Sequence, residues 1–187
     1  MQRRQSLWKR LGAPRVPTSL TAATVWLALT GVATACSSST KVASTYRADS
    51  LHVDKSERLM TVFANGEVVR QYRIELGGSP VGPKRAEGDE RTPEGRYTID
   101  GRNPNSVAYR SLHISYPNSA DVARANALGH PAGGMIMIHG LLNRLGWIGR
   151  AHLLYDKWTN GCIAVTNAEM DELWSGVRSG TPIHIVP

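Results

Sequence analysis

Cysteine and histidine, a side-chain pair able to open a carbonyl bond between them, stand within reach of one another along this chain. Cys162 closes the run Thr159-Asn160-Gly161-Cys162, and His139 sits upstream in Ile138-His139-Gly140. A thiol attacks carbonyls as its thiolate, and an ordinary cysteine pKa of roughly 8.5 keeps it protonated near neutral pH unless a base or a positive dipole assists. His139 is the helper the sequence offers. A backbone carbonyl such as that of Gly140 could hold its second ring nitrogen. The N–H groups of Gly161 and Cys162 could face a developing oxyanion, glycine permitting an approach that a side chain would block. The competing readings of Cys162 are a small buried thiol or a disulfide with Cys36, the other cysteine of the chain.

The remaining histidines read more blandly. His52, His113 and His184 lie in strand-like segments and His130 lies beside a proline, so packed or surface positions are expected. His152 competes with His139 as a base. A zinc site using His139, His152 and Cys162 is conceivable on ligand chemistry, but no C-x-x-C or H-x-x-x-H spacing accompanies it, and no metal or other cofactor is expected.

The elements that must position these groups are mostly strands. Residues 51–55 and 58–64 read as short strands, Asn65-Gly66 is a two-residue hairpin signal, and residues 67–76 return. Residues 77–95 form a long glycine-, proline- and charge-rich stretch, either a functional surface loop or a mobile connector. Thr92-Pro93-Glu94-Gly95 predicts a turn, and strands follow at 96–99 and 112–115. Asn118 or Ser119 caps a short helix that stops at Gly129, and the apolar run 135–138 predicts a buried strand delivering His139. The less regular stretch after Gly140 predicts a lid or a helical hairpin. Thr166-Asn167-Ala168-Glu169 has the spacing of a capping box, starting a helix that buries Met170, Leu173 and Val177 and ends at Gly180. A last strand spans 183–186. The fold class expected is one mainly β domain with a few short helices.

Charge and the N-terminal region set the compartment. Five cations (Arg3, Arg4, Lys9, Arg10 and Arg15) precede Cys36 with no acid among them, which leaves +2 of the +7 net charge for the rest. The remainder has mixed signs and one phenylalanine, Phe63, which argues against nucleic acid as a partner. The basic start leads into the apolar run 20–35, too short for a membrane span of ~20 residues and laid out like a secretory signal peptide. Ala33-Thr34-Ala35 suits ordinary cleavage. Cys36 resembles a lipoprotein acceptor cysteine, followed by the polar run Ser37-Ser38-Ser39-Thr40. The expected organisation is a signal peptide at 1–36 of lipoprotein type, with Cys36 as lipid attachment site, a polar tether at 37–48 and a catalytic domain at 49–187. Membrane contact is expected only through the signal peptide or the lipid, with the protein exported to the periplasm or cell envelope.

Ile138-His139-Gly140, Thr159-Asn160-Gly161-Cys162-Ile163 and the block from Gly88 to Tyr97 (GDERTPEGRY) together resemble the L,D-transpeptidase catalytic domain (YkuD-type) family. The Thr-Asn-Gly-Cys form, with His113-Ile114-Ser115-Tyr116-Pro117-Asn118, is similar to its YafK-like branch. The resemblance implies an L,D-transpeptidase-like β-sandwich or barrel. It implies Cys162 as nucleophile, His139 as general base and acid, and Gly161 beside the oxyanion, with Asn160, Thr159 and Gly140 as further substrate-binding candidates. Peptidoglycan stem peptides are the implied partners, with a peptidoglycan-linked lipoprotein as a further one. Three outcomes stay open: transpeptidation, hydrolysis that releases a lipoprotein from peptidoglycan, and a catalytically idle wall-binding lipoprotein. This chain has Asn160 where the family has histidine, so a second titrating group there is lost. Arg144, Arg150 and Lys157 are candidates for binding stem-peptide carboxylates, or equally an ordinary basic surface.

Overall fold

A computed structural model describes residues 46–154 and 158–187. The signal segment with Cys36, tether residues 37–45, Asp156 and Lys157 lie outside the described residues. In β1 (Ser50–Asp54) the two-residue period turns Leu51 and Val53 into the core. β2 (Leu59–Ala64) and β3 (Glu67–Arg73) follow, joined by Asn65 and Gly66. Both turn residues have positive φ, 53° and 77°, as the tight hairpin turn demands and as this dipeptide tolerates best.

β4 (Gly95–Ser106) and β5 (Tyr109–Ile114) make a second hairpin, longer than the 96–99 and 112–115 strands expected. Asp100 to Ser106 is polar and contains Pro104, which in sequence reads as a turn. Beyond Ile99 this stretch is mostly exposed, pairs with β5 alone, and absorbs irregularity in two register shifts. It therefore needs no buried apolar face. β6 (Met137–His139), β7 (Ile163–Ala164) and β8 (Pro182–Val186) complete one eight-stranded sheet in the order β3-β2-β1-β8-β4-β5-β6-β7. β8 pairs parallel with β1, and β7 parallel with β6.

The sheet curls until its ends meet. Just past β3, Glu75 and Ala164 exchange backbone hydrogen bonds of 3.0 and 2.9 Å, so the chain leaving one edge strand touches the other. Inside the curl lie Ile74, Leu76, Ile99, Leu112, Ile138, Ile163 and Met170, all essentially inaccessible to solvent. The mainly β fold expected is thus present, with two short α-helices among the described residues. α1 (Ser119–Ala127) is capped by Asn118. α2 (Asn167–Gly176) starts at Thr166, whose hydroxyl accepts from the Glu169 N–H while the Glu169 carboxylate accepts from the Thr166 N–H. α2 ends at Gly176 rather than Gly180, because Val177 turns to extended backbone at φ −97° and ψ 131°; the Tyr46 ring packs on Gly176, where an added Cβ would lie 2.3 Å from it. Instead of a helical hairpin, Gly146–Leu154 forms two short 3-10 turns broken at Gly149, with φ 49°.

The loop at 77–95 is held from both ends. The Lys55 ammonium, buried, donates to the carbonyls of Gly82 and Thr92 and to Glu94 Oε1. Within the loop the Asp89 carboxylate accepts from the Arg85, Ala86 and Arg91 N–H groups and from Lys84 Nζ. Lys84 and Asp89 tie the loop to itself while Arg85, Glu87 and Glu90 stay exposed, so of the two expectations for this stretch the mobile connector is the one its geometry disfavours.

Candidate active site

β6 and β7 place the two chemical groups. His139 ends β6 opposite Ala164, and Cys162 lies two residues before Ala164, so the period of the strand turns Cys162 to the face that His139 occupies. The diagonal offset of two rungs and one strand spacing separates their Cα atoms by about 8 Å. β6 is short because only three residues pair with β5, and Gly140 turns away after donating its N–H to the Arg110 carbonyl.

His139 is buried, and its Nδ1 lies 2.7 Å from the Gly140 carbonyl. A carbonyl only accepts, so the proton is on Nδ1 and Nε2 carries the lone pair, the tautomer a general base needs. Trp158 packs edge-on against the imidazole, with centroids 5.4 Å apart. Burial lowers the His139 pKa from its ordinary value, the Gly140 hydrogen bond draws it partly back, and nearby His152 lowers it further. Cys162 is half-buried. Burial pushes its thiol up, while the Met137 backbone and the Lys84 charge pull it down. Its Sγ donates weakly to the Met135 carbonyl at 3.5 Å and makes no hydrogen bond to His139. Both shifts favour a neutral thiol and a neutral imidazole at rest near neutral pH.

The loop carrying Cys162 is clamped by the 77–95 loop. Thr92 is fully buried and donates its hydroxyl to the Gly161 carbonyl at 3.0 Å, and Gly78 donates its N–H to the Thr159 carbonyl at 3.2 Å. Gly161 has φ 108°, and a Cβ there would lie 2.4 Å from the Arg91 carbonyl. Because a trans peptide points its C=O and N–H in opposite directions, the Thr92 bond to the Gly161 carbonyl aims the Cys162 N–H away from Thr92.

The other expected residues divide. Thr159 is buried and donates its hydroxyl to the Cys162 carbonyl at 2.8 Å, which shapes the loop. Asn160 is exposed and borders a polar hollow of about 360 Å³ with Lys84, Glu87, Glu90 and Gly133. Gly140 is required sterically: a Cβ there would sit 2.7 Å from Asn167 Oδ1. Arg150 reaches Glu169 Oε1 at 3.1 Å, and Arg144 lies on the exposed turn before the 3-10 segment. His152 is buried and near enough to His139 to lower its pKa, and its Nδ1 lies 2.7 Å from the Gly149 carbonyl. No cluster of three metal-ligating side chains occurs among the described residues.

Sequence reading missed Lys84, Thr92 and Trp158. Thr92 lies inside the GDERTPEGRY block, so that signal was present without its role. Trp158 adjoins Thr159, but a lone tryptophan does not announce what it packs against. Lys84 pairs locally, with Asp89 and the Ala86 carbonyl, but nothing in that short spacing announces that the loop sets its charge beside Cys162.

A family model described as the L,D-transpeptidase catalytic domain (YkuD) matches residues 48–185. YafK of Escherichia coli (strain K12), named only as a candidate L,D-transpeptidase, is 29% identical over 133 residues, covering 68% of this chain and 46% of that protein. Among solved structures, the helical cell shape determining protein Pgp2 of Campylobacter jejuni superposes with a TM-score of 0.53 at 23% identity, covering 75% of this chain and 48% of Pgp2. Bd1075 of Bdellovibrio bacteriovorus gives 0.52 at 24% identity, covering 75% and 48%. The chain spans about half the length of each of these relatives.

Proposed function

The chain belongs to the L,D-transpeptidase catalytic domain family, and from that premise we propose that it modifies peptidoglycan stem peptides through an acyl-enzyme on Cys162. The observation that carries this reading is the β6/β7 pairing, which turns His139, with its Nε2 lone pair free, to the face of Cys162. In the first half-reaction Sγ leaves the Met135 carbonyl and attacks a stem-peptide carbonyl while its proton passes to His139 Nε2. The C–N bond then breaks, and His139 returns that proton to the departing amine, leaving a thioester on Cys162. In the second half-reaction an amine or water attacks the thioester, gives its proton to His139, and Sγ leaves and recovers it. The Gly161 and Cys162 N–H groups stabilise the oxyanion at both steps, and Thr92 orients the second of them. Amine as acceptor gives transpeptidation; water gives hydrolysis, including release of a lipoprotein linked to the wall.

The neutral, unbonded resting pair is what favours the rival reading, a wall-binding protein without turnover. Mass spectrometry of products separates them. The full chain and Cys162→Ala are incubated with stem-peptide muropeptides, with and without a lipoprotein C-terminal peptide attached. Cross-linked or exchanged products absent with Cys162→Ala establish the transpeptidase, and release of the attached peptide by water establishes the hydrolase. If neither substrate gives a Cys162-dependent product, the catalytic reading falls. Export to the cell envelope and lipidation at Cys36 belong to the same proposal; a mature protein that takes up no fatty-acid probe removes the lipid anchor. No described helix is long and apolar enough to cross a membrane.

A further inference from the structure

Ser111 Oγ is buried without a hydrogen-bond partner among the described residues, and Ser111 on β5 is the register partner of His139 on β6. Residues opposite one another in an antiparallel pair turn their side chains to the same face. The backbone hydrogen bonds fix how closely these two approach. Gly140 donates its N–H to the Arg110 carbonyl, and Ile114 donates to the Ile136 carbonyl, so alternate rungs counted from either end are the hydrogen-bonded ones. Ser111 and His139 fall on a rung between them, of the non-hydrogen-bonded kind, in which Cα atoms come to about 4.5 Å and side chains pack closest. Leu112 and Ile138, on the neighbouring rung, belong to the opposite face and lie in the core. Ser111 is 1% exposed and His139 7%.

A buried hydroxyl with no partner destabilises the resting protein, and an alanine of nearly the same size would not. The side chain that faces it is the one that changes charge in the proposed reaction. His139 holds its Nδ1 proton on the Gly140 carbonyl, so a second proton is taken up at Nε2. We propose that Ser111 is a positioning residue, whose hydroxyl oxygen accepts a hydrogen bond from Nε2–H of the protonated His139 and holds the imidazolium between arrival of the thiol proton and its delivery to the departing amine. A hydroxyl both donates and accepts, and a single side-chain torsion aims it. The bond is absent while Nε2 carries its lone pair and forms when that nitrogen is protonated. It therefore stabilises the charged intermediate relative to the resting state, which is what lowers a barrier.

The titratable groups around the ring leave this role open. Cys162 stands on the same face, His152 disfavours the imidazolium, and His113, one rung pair along β5, is engaged by Asp100. Burial also disfavours the charged ring, and the Gly140 carbonyl is the hydrogen bond that counters it. Ser111 supplies a second. The hydrogen bond is a property of the two side chains alone; its place in turnover rests on the function proposed above.

The test is a pH titration of the His139 ring resonances in the full ¹⁵N-histidine-labelled chain, assigned by their loss in His139→Gln. Ser111→Ala is expected to lower the His139 midpoint by about one to two pH units, and Ser111→Thr, which keeps the hydroxyl, to restore it. Because Ser111→Ala removes an unmet polar group, it should unfold in no less urea than the unaltered chain, so misfolding would not explain the lowered midpoint. A midpoint that is unmoved or raised in Ser111→Ala overturns the proposal. In turnover the same variant should lose about tenfold in kcat with KM unchanged; an undiminished kcat overturns the positioning role. A chain that forms no product at all refutes the catalytic reading, and the midpoint still decides whether Ser111 holds the imidazolium.

Discussion

At the residue scale, burial decides the chemistry of both His139 and Cys162, and it acts on them in opposite directions. His139 must be neutral to take a proton, and its lowered pKa keeps it so. The acid limb of kcat/KM is therefore expected below pH 6.5, the ordinary histidine value of about 6.5 being its upper bound. A limb at or above that value in a pH-rate profile would contradict the buried, Trp158-covered imidazole. The raised thiol makes the companion prediction that iodoacetamide labels Cys162 no faster than a model thiol near neutral pH. Lys84→Met, which removes the cation favouring the thiolate, should move the labelling curve to still higher pH; an unmoved curve would show that Lys84 does not act on the thiol. Activation of Cys162 then belongs to the moment of attack, when proton transfer to His139 accompanies bond formation.

Among the elements, the 77–95 loop matters most to the site, because it holds the Cys162 turn by its backbone. Lys55→Met strands the Gly82 and Thr92 carbonyls and leaves Glu94 without its cation, so a loss of about 3–5 kcal/mol is expected from urea unfolding. Gly161→Ala acts closer to the chemistry. Its φ of 108° and the Arg91 carbonyl 2.4 Å from the new Cβ force the turn to move, with a cost of about 1–3 kcal/mol from the backbone alone. Activity should fall by more than stability does, and an active, fully stable Gly161→Ala protein would remove the close-approach argument. The loop's glycines, its three prolines and its charges were all visible in the sequence. What they did together was not, because Lys55 lies 27 residues from Gly82, and Thr92 lies 69 residues from Gly161.

At the scale of the whole described domain, the curled sheet ties these parts together. Ile138 and Ile163 pair across β6 and β7 and are both fully buried, so Ile138→Ala should cost about 2–5 kcal/mol and loosen both chemical groups at once. Far-UV circular dichroism and tryptophan fluorescence should still report a single coincident melt; separated transitions would mean that the site-bearing half folds independently. Stability should also follow pH in a stated direction. The lowered folded pKa values of His139 and His184 mean that the unfolded chain binds more protons, so their contribution is complete above about pH 6.5 and declines as pH falls below it. The depressed Asp89 carboxyl adds stability that is present above about pH 3.9 and lost as pH falls through its folded value.

The sequence by itself determined the local structure: the Asn65-Gly66 hairpin, the Asn118 and Thr166 caps, the alternation in β1, and the motifs on which the family resemblance rests. Each depends on residues a few positions apart, whose sterics and hydrogen bonds act before any tertiary contact forms. Only the tertiary structure decided that Glu75 meets Ala164 to close the sheet, that polar residues 100–106 continue a strand, and that His152 is buried. It also decided that burial favours an uncharged thiol and imidazole. Those outcomes depend on which surfaces exclude water from one another, and in a chain this rich in antiparallel and crossover pairing the partners are brought together from distant stretches of sequence.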